Sequence, residues 1–152
     1  MKKSILFGAA VVAAVVTAWF AAQAEPQPAG AQPAKGEKAM LRAVVHVNFG
    51  DIERQKHGLK NVTNVLKAEG GKADVVVVCH GPGIALVVKD KSPAAGEIER
   101  LLKEGVKFEA CENTLKDKGI PKESLIPGVT TVPSGAAEVV RRQQDGYGYF
   151  RP

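Results

Sequence analysis

Apolar and polar positions along residues 39–152 follow a pattern that predicts strands and helices in turn. Short, nearly continuous apolar runs are typical of buried strands, and the longer segments between them repeat apolar residues at helical spacing. The strand runs are "MLRAVVHVNF", "ADVVVVCH", "VKFEA" and "VTTV", followed by a terminal "YGYF". Val75–Val78 shows no polar alternation, which predicts a strand buried on both faces of a parallel sheet. Tyr147 and Tyr149 alternate in the last run, so we expect them at an edge or a subunit contact.

Four segments between these runs predict helices. In "GDIERQKHGLKNVTNVLKAEGG", Asp51 is the expected N-cap, and Gly70 and Gly71 are expected to end the helix. In "SPAAGEIERLLKEG", Ser92 is expected to cap the helix and Pro93 to occupy its first position. The other two helical segments are "CENTLKDKGI" and "PSGAAEVVRRQQDG", the second of which is expected to be opened by Pro133 and Ser134 and closed by Gly146. The segment "IALVVKD" fits a strand as well as a short helix.

Strand and helix therefore alternate along this part of the chain. Such alternation predicts a mainly parallel sheet of about five strands with helices on both faces. Right-handed crossovers then give a three-layer α/β/α sandwich. In these sheets ligands bind in a crevice beyond the carboxyl ends of the strands. Because Cys79 and Cys111 each end a strand, both are predicted to lie on the side of the sheet where chemistry is expected.

The first 38 residues have a different composition. "MKK" is a basic head, "SILFGAAVVAAVVTAWFA" is an apolar run and "AQA" ends at Ala24, which together predict a secretory signal peptide over residues 1–24. We expect export to the periplasm or beyond, with no stable membrane association after cleavage. The alternative is an uncleaved anchor, since the run is about as long as a marginal membrane span. Residues 25–38 predict a flexible Pro/Ala-rich linker, which leaves 39–152 as one domain.

The charge balance does not indicate nucleic-acid binding. The chain has 21 Lys and Arg against 16 Asp and Glu, and loss of Lys2 and Lys3 with the signal peptide leaves 19 against 16. The lysines are mixed with acidic residues, and no basic run is interleaved with aromatics, so a solvated mixed-charge surface is the simpler interpretation. No phosphate loop, dinucleotide fingerprint, nucleophile elbow or haem-attachment motif occurs, so no cofactor is predicted.

Cys111 has two interpretations. It directly precedes a predicted helix, whose unpaired N–H groups and dipole favour a thiolate and hence a nucleophile. Glu109 and Glu112 oppose this, because a nearby carboxylate raises the pKa of a thiol. The other interpretation is a packed core residue, since free cysteine is among the most buried residue types.

Cys79 adds further hypotheses. A packed strand-end residue is the simplest, although His80 and the "GPG" turn that follow it would let a ligand approach the backbone closely. A disulfide between Cys79 and Cys111 fits an oxidising compartment. A metal site with His80 and His46 has little support, because no CxxC or HxxxH spacing occurs and adjacent strand residues point to opposite faces. No metal site is therefore predicted.

Several segments together resemble the DsrE/DsrF-like family, and in particular its small exported bacterial members. These segments are "HVNFGD", "NVTNVL", "VVVVCHGPGIALV", "GVKFEACENTL" and "VPSGAAEVVRRQQDGYGYF". The resemblance extends over residues 41–152. It implies a three-layer α/β/α sandwich and assembly as a homo-oligomer. In the sulfur carriers of this family, a cysteine just after a central strand takes up sulfane sulfur as a persulfide, and the matching residue here is Cys111.

The resemblance therefore favours an exported protein that carries sulfur on Cys111 between a donor and an acceptor protein, although the well-understood carriers are cytoplasmic. His80 and Asn113 are accessory candidates for polarising the sulfur. One alternative is a non-catalytic oligomeric protein that binds a small ligand in the crevice. Another is a thiol-disulfide protein that uses Cys79 with Cys111. An exposed Cys111 far from Cys79 favours the carrier, a buried Cys111 favours the binding protein, and two sulfurs at bonding distance favour the redox pair.

Overall fold

Five parallel strands form the centre of the fold, in the spatial order β4-β3-β2-β1-β5. The computed structural model describes residues 39–152, so the predicted signal peptide and linker lie outside the described residues. The strands are β1 Leu41–Val47, β2 Ala73–Cys79, β3 Lys107–Cys111, β4 Thr130–Val132 and β5 Gly148–Phe150. All four strand pairings are parallel. The predicted parallel sheet of about five strands is confirmed.

The helices occupy the segments between the strands. They are α1 Ile52–Ala68, α2 Ala95–Lys103, α3 Glu112–Asp117 and α4 Gly135–Gln144, with 3-10 helices at Gly81–Val87 and Lys122–Ser124. The ambiguous "IALVVKD" segment lies mostly in the first 3-10 helix, and Val88 then forms an isolated antiparallel bridge with Leu125. Within residues 39–152, no helix is long and apolar enough to cross a membrane.

Helix α1 begins where the sequence predicts. The Asp51 side chain accepts a hydrogen bond of 2.7 Å from the Arg54 N–H, which satisfies one of the free donors of the first turn. The helix buries a stripe that includes Leu59 and Val62. Gln55 lies in the same stripe and is 2% exposed, because its amide donates to the Phe49 carbonyl at 2.7 Å. A buried polar group is tolerated there because it is hydrogen-bonded.

Helix α2 begins later than the sequence predicts. Its N-cap is Ala94, which makes no side-chain capping bond, so the prediction that Ser92 caps the helix and Pro93 is its first residue is wrong. The Ser92 hydroxyl instead accepts from the Ala94 N–H at 3.2 Å. Ser92 therefore stabilises the turn before the helix, an alternative that short polar side chains offer the backbone.

The two faces of the sheet are covered unequally. On one face, α1, α2 and α3 pack on the strands through a large apolar cluster, to which Leu59, Ile98 and Leu115 belong. On the other face, α4 covers a smaller cluster, which consists of Val44, Val76, Val78, Val139 and Tyr147. The run Val75–Val78 lies in the central strand and is at most 1% exposed, as predicted. The sandwich has three layers, with one helix alone in the third layer of the described residues.

Ion pairs and hydrogen bonds hold α4 against the sheet. Arg142 of α4 donates to Glu109 of β3 at 2.6 Å and to Glu138, one helical turn earlier, at 2.7 Å. The Tyr147 hydroxyl, just after the helix, donates to Asp74 of β2 at 2.5 Å. Glu109 is 6% exposed, and burial raises the pKa of its carboxyl although Arg142 acts in the opposite direction. The carboxylate therefore depends on Arg142 for compensation of its buried charge.

We expect Arg142→Ala to destabilise the fold by about 3 kcal/mol, the lower end for a broken buried ion pair, because Arg142 is itself partly exposed. Arg141→Ala is the matched control. Its side chain is 61% exposed and lies 3.6 Å from Glu138, so the loss should stay below about 1 kcal/mol. Urea unfolding of both variants measures the difference. Equal losses of unfolding free energy in the two variants would show that the contact between Arg142 and Glu109 does not hold α4 in place.

The turn after β2 packs its backbone directly on the end of β1. The His80 N–H donates to the Val47 carbonyl oxygen at 3.1 Å. A side chain at Gly83 would overlap this same carbonyl oxygen, so a glycine is required here for close approach rather than for an unusual dihedral angle. The "GPG" segment thereby fixes where the carboxyl end of β2 lies relative to β1.

Gly83→Ala should therefore cost about 1–3 kcal/mol of unfolding free energy, as overpacking against a fixed backbone does. Gly96→Ala is the control, because nothing lies within 4 Å of its added methyl group and the position is helical. That variant should gain up to about 1 kcal/mol. Thermal unfolding followed by circular dichroism distinguishes the two, and a neutral Gly83→Ala would contradict the packing described.

Candidate functional site

The two cysteines lie on opposite faces of the sheet. Cys79 is paired with Ala110 in the β2–β3 register, so Cys111, one residue further, points the other way. Cys79 is 0% exposed and packs in the cluster beneath α1, α2 and α3, whereas Cys111 is 5% exposed and lies on the α4 side. Both are free thiols. A disulfide between them would require one strand to turn over, so the arrangement does not support the thiol-disulfide alternative.

Burial gives Cys79 the character of a packed, unreactive thiol. It raises the pKa of Cys79 to about 12, with no compensating donor. A thiol with such a pKa has almost no thiolate at neutral pH and is a poor nucleophile. The structure therefore agrees with the simplest sequence interpretation of Cys79, a core residue at the end of a strand.

Cys111 has the opposite character. Burial alone raises the pKa of this thiol as well, but the Thr114 hydroxyl and the N–H groups of Gly135, Thr114 and Asn113 outweigh it, and the net pKa lies below the ordinary value. Cys111 is the N-cap of α3 without making a regular capping hydrogen bond, so these donors act as a surrounding shell rather than as one strong bond. Donors that surround a sulfur in this way stabilise the thiolate form.

Two helices contribute to this shell because of how each begins. Helix α3 starts directly after β3, so its first N–H groups lie beside Cys111, and the N–H of Asn113 is shared with the Pro133 carbonyl at 3.4 Å. Helix α4 starts after Ser134, whose hydroxyl accepts from Ala137 at 3.4 Å as predicted. The N–H of Gly135, the first residue of this helix, acts on the same sulfur.

A side chain at Gly135 would be crowded by two neighbouring residues. An added Cβ atom would lie 3.0 Å from the Cβ atom of His80 and 3.2 Å from that of Cys111. The start of α4 therefore packs against both residues at once. The same contact shows that His80, one of the two accessory candidates, is a neighbour of Cys111 across β2 and β3.

The two carboxylates expected to oppose a thiolate are engaged elsewhere. Glu112 contacts Lys122 and accepts from the Thr131 hydroxyl at 2.6 Å, and these contacts, Lys122 first, lower the pKa of its carboxyl. Glu109 is paired with Arg142. Neither carboxylate is among the principal groups that shift the pKa of Cys111. The expected repulsion is therefore small in the folded chain.

A row of hydrogen-bonded rings continues from His80 across the sheet. The Nε2 atoms of His80 and His46 are 2.6 Å apart, and the Nδ1 atom of His46 is 2.9 Å from the Tyr149 hydroxyl. The two imidazole rings stack with centroids 4.8 Å apart. Burial lowers the pKa of both histidines, and for His46 the nearby His80 and Arg151 lower it further. Both rings are therefore neutral near pH 7.

Four adjacent strands thus supply the groups of the site: Tyr149 from β5, His46 from β1, His80 just after β2, and Cys111 from β3. Sequence reasoning considered His46 only as a metal ligand and Tyr149 only as an edge or contact residue. The available signal was that both histidines end valine-rich strands. The third accessory candidate, Asn113, has an exposed side chain and contributes through its backbone N–H.

The described residues hold no metal-binding cluster, and a sizeable cavity lies away from this arrangement. Among residues 39–152, no group of three or more His, Cys, Asp or Glu side chains is placed to hold a metal ion. A cavity of about 400 Å³ lies between α1 and α2, with Lys56, Lys60 and Glu97 in its lining and without Cys111. That cavity is therefore not the carboxyl-end crevice in which the sequence analysis expected the chemistry.

Comparison with known proteins identifies the family. The model of the DsrE/DsrF-like family matches residues 43–152, and a search of curated proteins gives no match. Among solved structures, the protein of unknown function MTH1491 from Methanobacterium thermoautotrophicum is 34% identical with a TM-score of 0.70, over 74% of this chain and 99% of that one. The ychN protein from E. coli shares the fold, with 15% identity and a TM-score of 0.64 over 74% and 100% of the two chains. The chain belongs to the DsrE/DsrF-like family.

Proposed function

We propose that this protein handles sulfane sulfur, which it carries as a persulfide on Cys111. The observation that supports this is the position of Cys111 at the start of α3 and against the first residue of α4, where a shell of N–H groups and the Thr114 hydroxyl lowers the pKa of its thiol. A neutral packed thiol needs no such shell, as Cys79 in the same sheet illustrates. A thiolate needs it, and so does the anionic terminal sulfur that a persulfide would place in the same position.

The transfer step follows from thiolate chemistry. The Cys111 thiolate attacks the outer sulfur of a donor R–S–SH, so that a new S–S bond forms on Cys111 and the old S–S bond of the donor breaks. The electron pair of the broken bond leaves with R–S⁻, which then takes up a proton to become R–SH. No net oxidation occurs, because the sulfane sulfur only changes its partner. Delivery to an acceptor thiolate is the same step in reverse.

The low exposure of Cys111 favours the second candidate, a non-catalytic protein that binds a small ligand. A side chain that is 5% exposed admits only a slender donor unless the start of α4 moves. We nevertheless favour sulfur transfer, because burial alone would raise the pKa of this thiol and the surrounding donors lower it. In the binding-protein alternative, those donors would serve no purpose that the packing of Cys111 requires.

Export and self-association form part of the proposal. Export rests on the N-terminal sequence, with its basic head, apolar run and "AQA" at Ala22–Ala24. Self-association is supported by the thinly covered α4 face, where Val140 is 53% and Tyr149 46% exposed. Large apolar and aromatic side chains are common in subunit contacts. A donor or acceptor protein of sulfane sulfur is the expected partner in transfer.

In a Cys79→Ala background, alkylation of the folded, reduced protein should report Cys111 alone. The rate should rise with pH as the thiolate forms, with a midpoint below the ordinary thiol value of about 8.5. Thr114→Val removes the hydroxyl donor and should move the midpoint upward, whereas Thr114→Ser keeps the donor and should leave it in place. A midpoint at or above 8.5, or a thiol that reacts only after unfolding, would favour the binding protein.

Incubation with a sulfane-sulfur donor should add one sulfur atom to the wild type and to Cys79→Ala, and none to Cys111→Ser. Intact-mass analysis measures the gain, and treatment with a reductant should remove it because a persulfide bond is reducible. Uptake that persists in Cys111→Ser but is lost in Cys79→Ala would show that Cys79 carries the sulfur, and it would refute the proposal.

A further inference from the structure

The row of hydrogen-bonded rings runs from Tyr149 through His46 to His80 on the α4 face of the sheet, and each of its two ends can make a further hydrogen bond. At one end the Tyr149 side chain is 46% exposed, so its hydroxyl oxygen can exchange protons with water. At the other end, His80 Nδ1 has no hydrogen-bond partner among the described residues, although its Nε2 is bonded to His46. His80 is only half-buried and its Nδ1 atom is not enclosed, so this nitrogen can bond a molecule that enters beside it. His80 itself lies beside Cys111, since the start of α4 packs on the Cβ atoms of both residues.

The bonds in the row can run in either of two directions. In one, Tyr149 donates to His46 Nδ1, His46 Nε2–H donates to His80 Nε2, and the proton of His80 is on Nδ1. In the other, His80 Nε2–H donates to His46, and His46 Nδ1–H donates to the Tyr149 oxygen. Each neutral ring holds one proton in both states. Interconversion therefore moves one proton between His80 Nδ1 and the surface hydroxyl, with no charge left on either ring.

The groups around the two histidines oppose a positive charge on either ring. They therefore favour a row that passes a proton on over one that holds it. Arg151, whose guanidinium donates to Asn48 at 2.9 Å, lies close enough to His46 to oppose a positive charge there. Each histidine also opposes a charge on the other, since their Nε2 atoms are 2.6 Å apart. A row in which neither ring is readily charged can still pass protons along its hydrogen bonds.

We infer that Tyr149, His46 and His80 form a proton relay that delivers a proton from solvent to the crevice beside Cys111. The inference rests on the proposed function and specifies the type of donor that the site accepts. When the Cys111 thiolate takes sulfur from R–S–SH, the leaving R–S⁻ receives the proton from His80 Nδ1–H. His46 then passes its Nε2 proton to His80 Nε2, and Tyr149 passes its proton to His46 Nδ1. The Tyr149 hydroxyl takes a proton from water, which leaves the row in the second of its two directions. The relay therefore fits donors whose leaving group is a basic thiolate.

Two sulfur donors test this assignment. Glutathione persulfide releases a basic thiolate that must be protonated, whereas benzenethiosulfonate releases a sulfinate, a weak base that needs no proton. Both deliver one sulfane sulfur to Cys111. The variants are Tyr149→Phe and His46→Gln, and His57→Gln is the control, because His57 is the remaining histidine and lies in α1 outside the row.

Tyr149→Phe and His46→Gln should slow transfer from glutathione persulfide by about 100-fold, the scale of general acid catalysis, and transfer from benzenethiosulfonate by less than about twofold. His57→Gln should change neither rate. Equal slowing with both donors would mean that the row only supports the structure, and no slowing with either would mean that the proton has another source. Both results overturn the relay.

Failure of the proposed function gives a different pattern. If the wild type takes sulfur from neither donor, sulfur transfer is wrong, and nitrogen NMR of the imidazoles at pH 7 then decides the relay. A single proton coupled to the Nε2 atoms of both His46 and His80 supports the relay. Two rings with no shared proton overturn it.

Discussion

The parallel register of β1, β2 and β3 is the constraint on which the site depends. Because all strands run the same way, their carboxyl ends meet at one edge, and His46, His80 and Cys111 follow each other across three neighbouring strands. Side chains alternate along a strand, so a shift of one residue in β3 would send Cys111 to the opposite face. The close approach of Gly83 to Val47 helps to hold β2 against β1 at this edge.

The same alternation explains why two cysteines at strand ends differ so strongly in chemistry. Cys79 faces the side covered by three helices, where burial acts alone and raises its pKa to about 12. Cys111 faces the side covered by α4, where burial is opposed by donors from Thr114 and from two helix starts, and the pKa falls below its ordinary value. Environment, rather than position in the strand, decides which thiol can react.

Helix α4 links stability to the site. Its carboxyl-terminal half is fixed to the sheet by Arg142 on Glu109, and its first residue, Gly135, packs on both His80 and Cys111. We therefore expect a loosened ion pair at one end to shift the N–H group that lowers the pKa of Cys111 at the other. The single helix also leaves the row from His46 to Tyr149 less covered than the rest of the sheet, which gives the row its access to solvent.

The sequence by itself determined the alternation of strand and helix, the central valine strand, the caps at Asp51 and Ser134, and the position of Cys111 where a strand meets a helix. These follow from local periodicity and capping, which a sequence displays directly. The start of α2 was misjudged because Ser92 can stabilise a turn as well as a helix. Only the tertiary structure decided three features of the site. They are the separation of the two cysteines, the contact of Gly135 with Cys111, and the row through His46 and Tyr149. Strand order and register join residues more than a hundred positions apart, and no local pattern encodes that pairing.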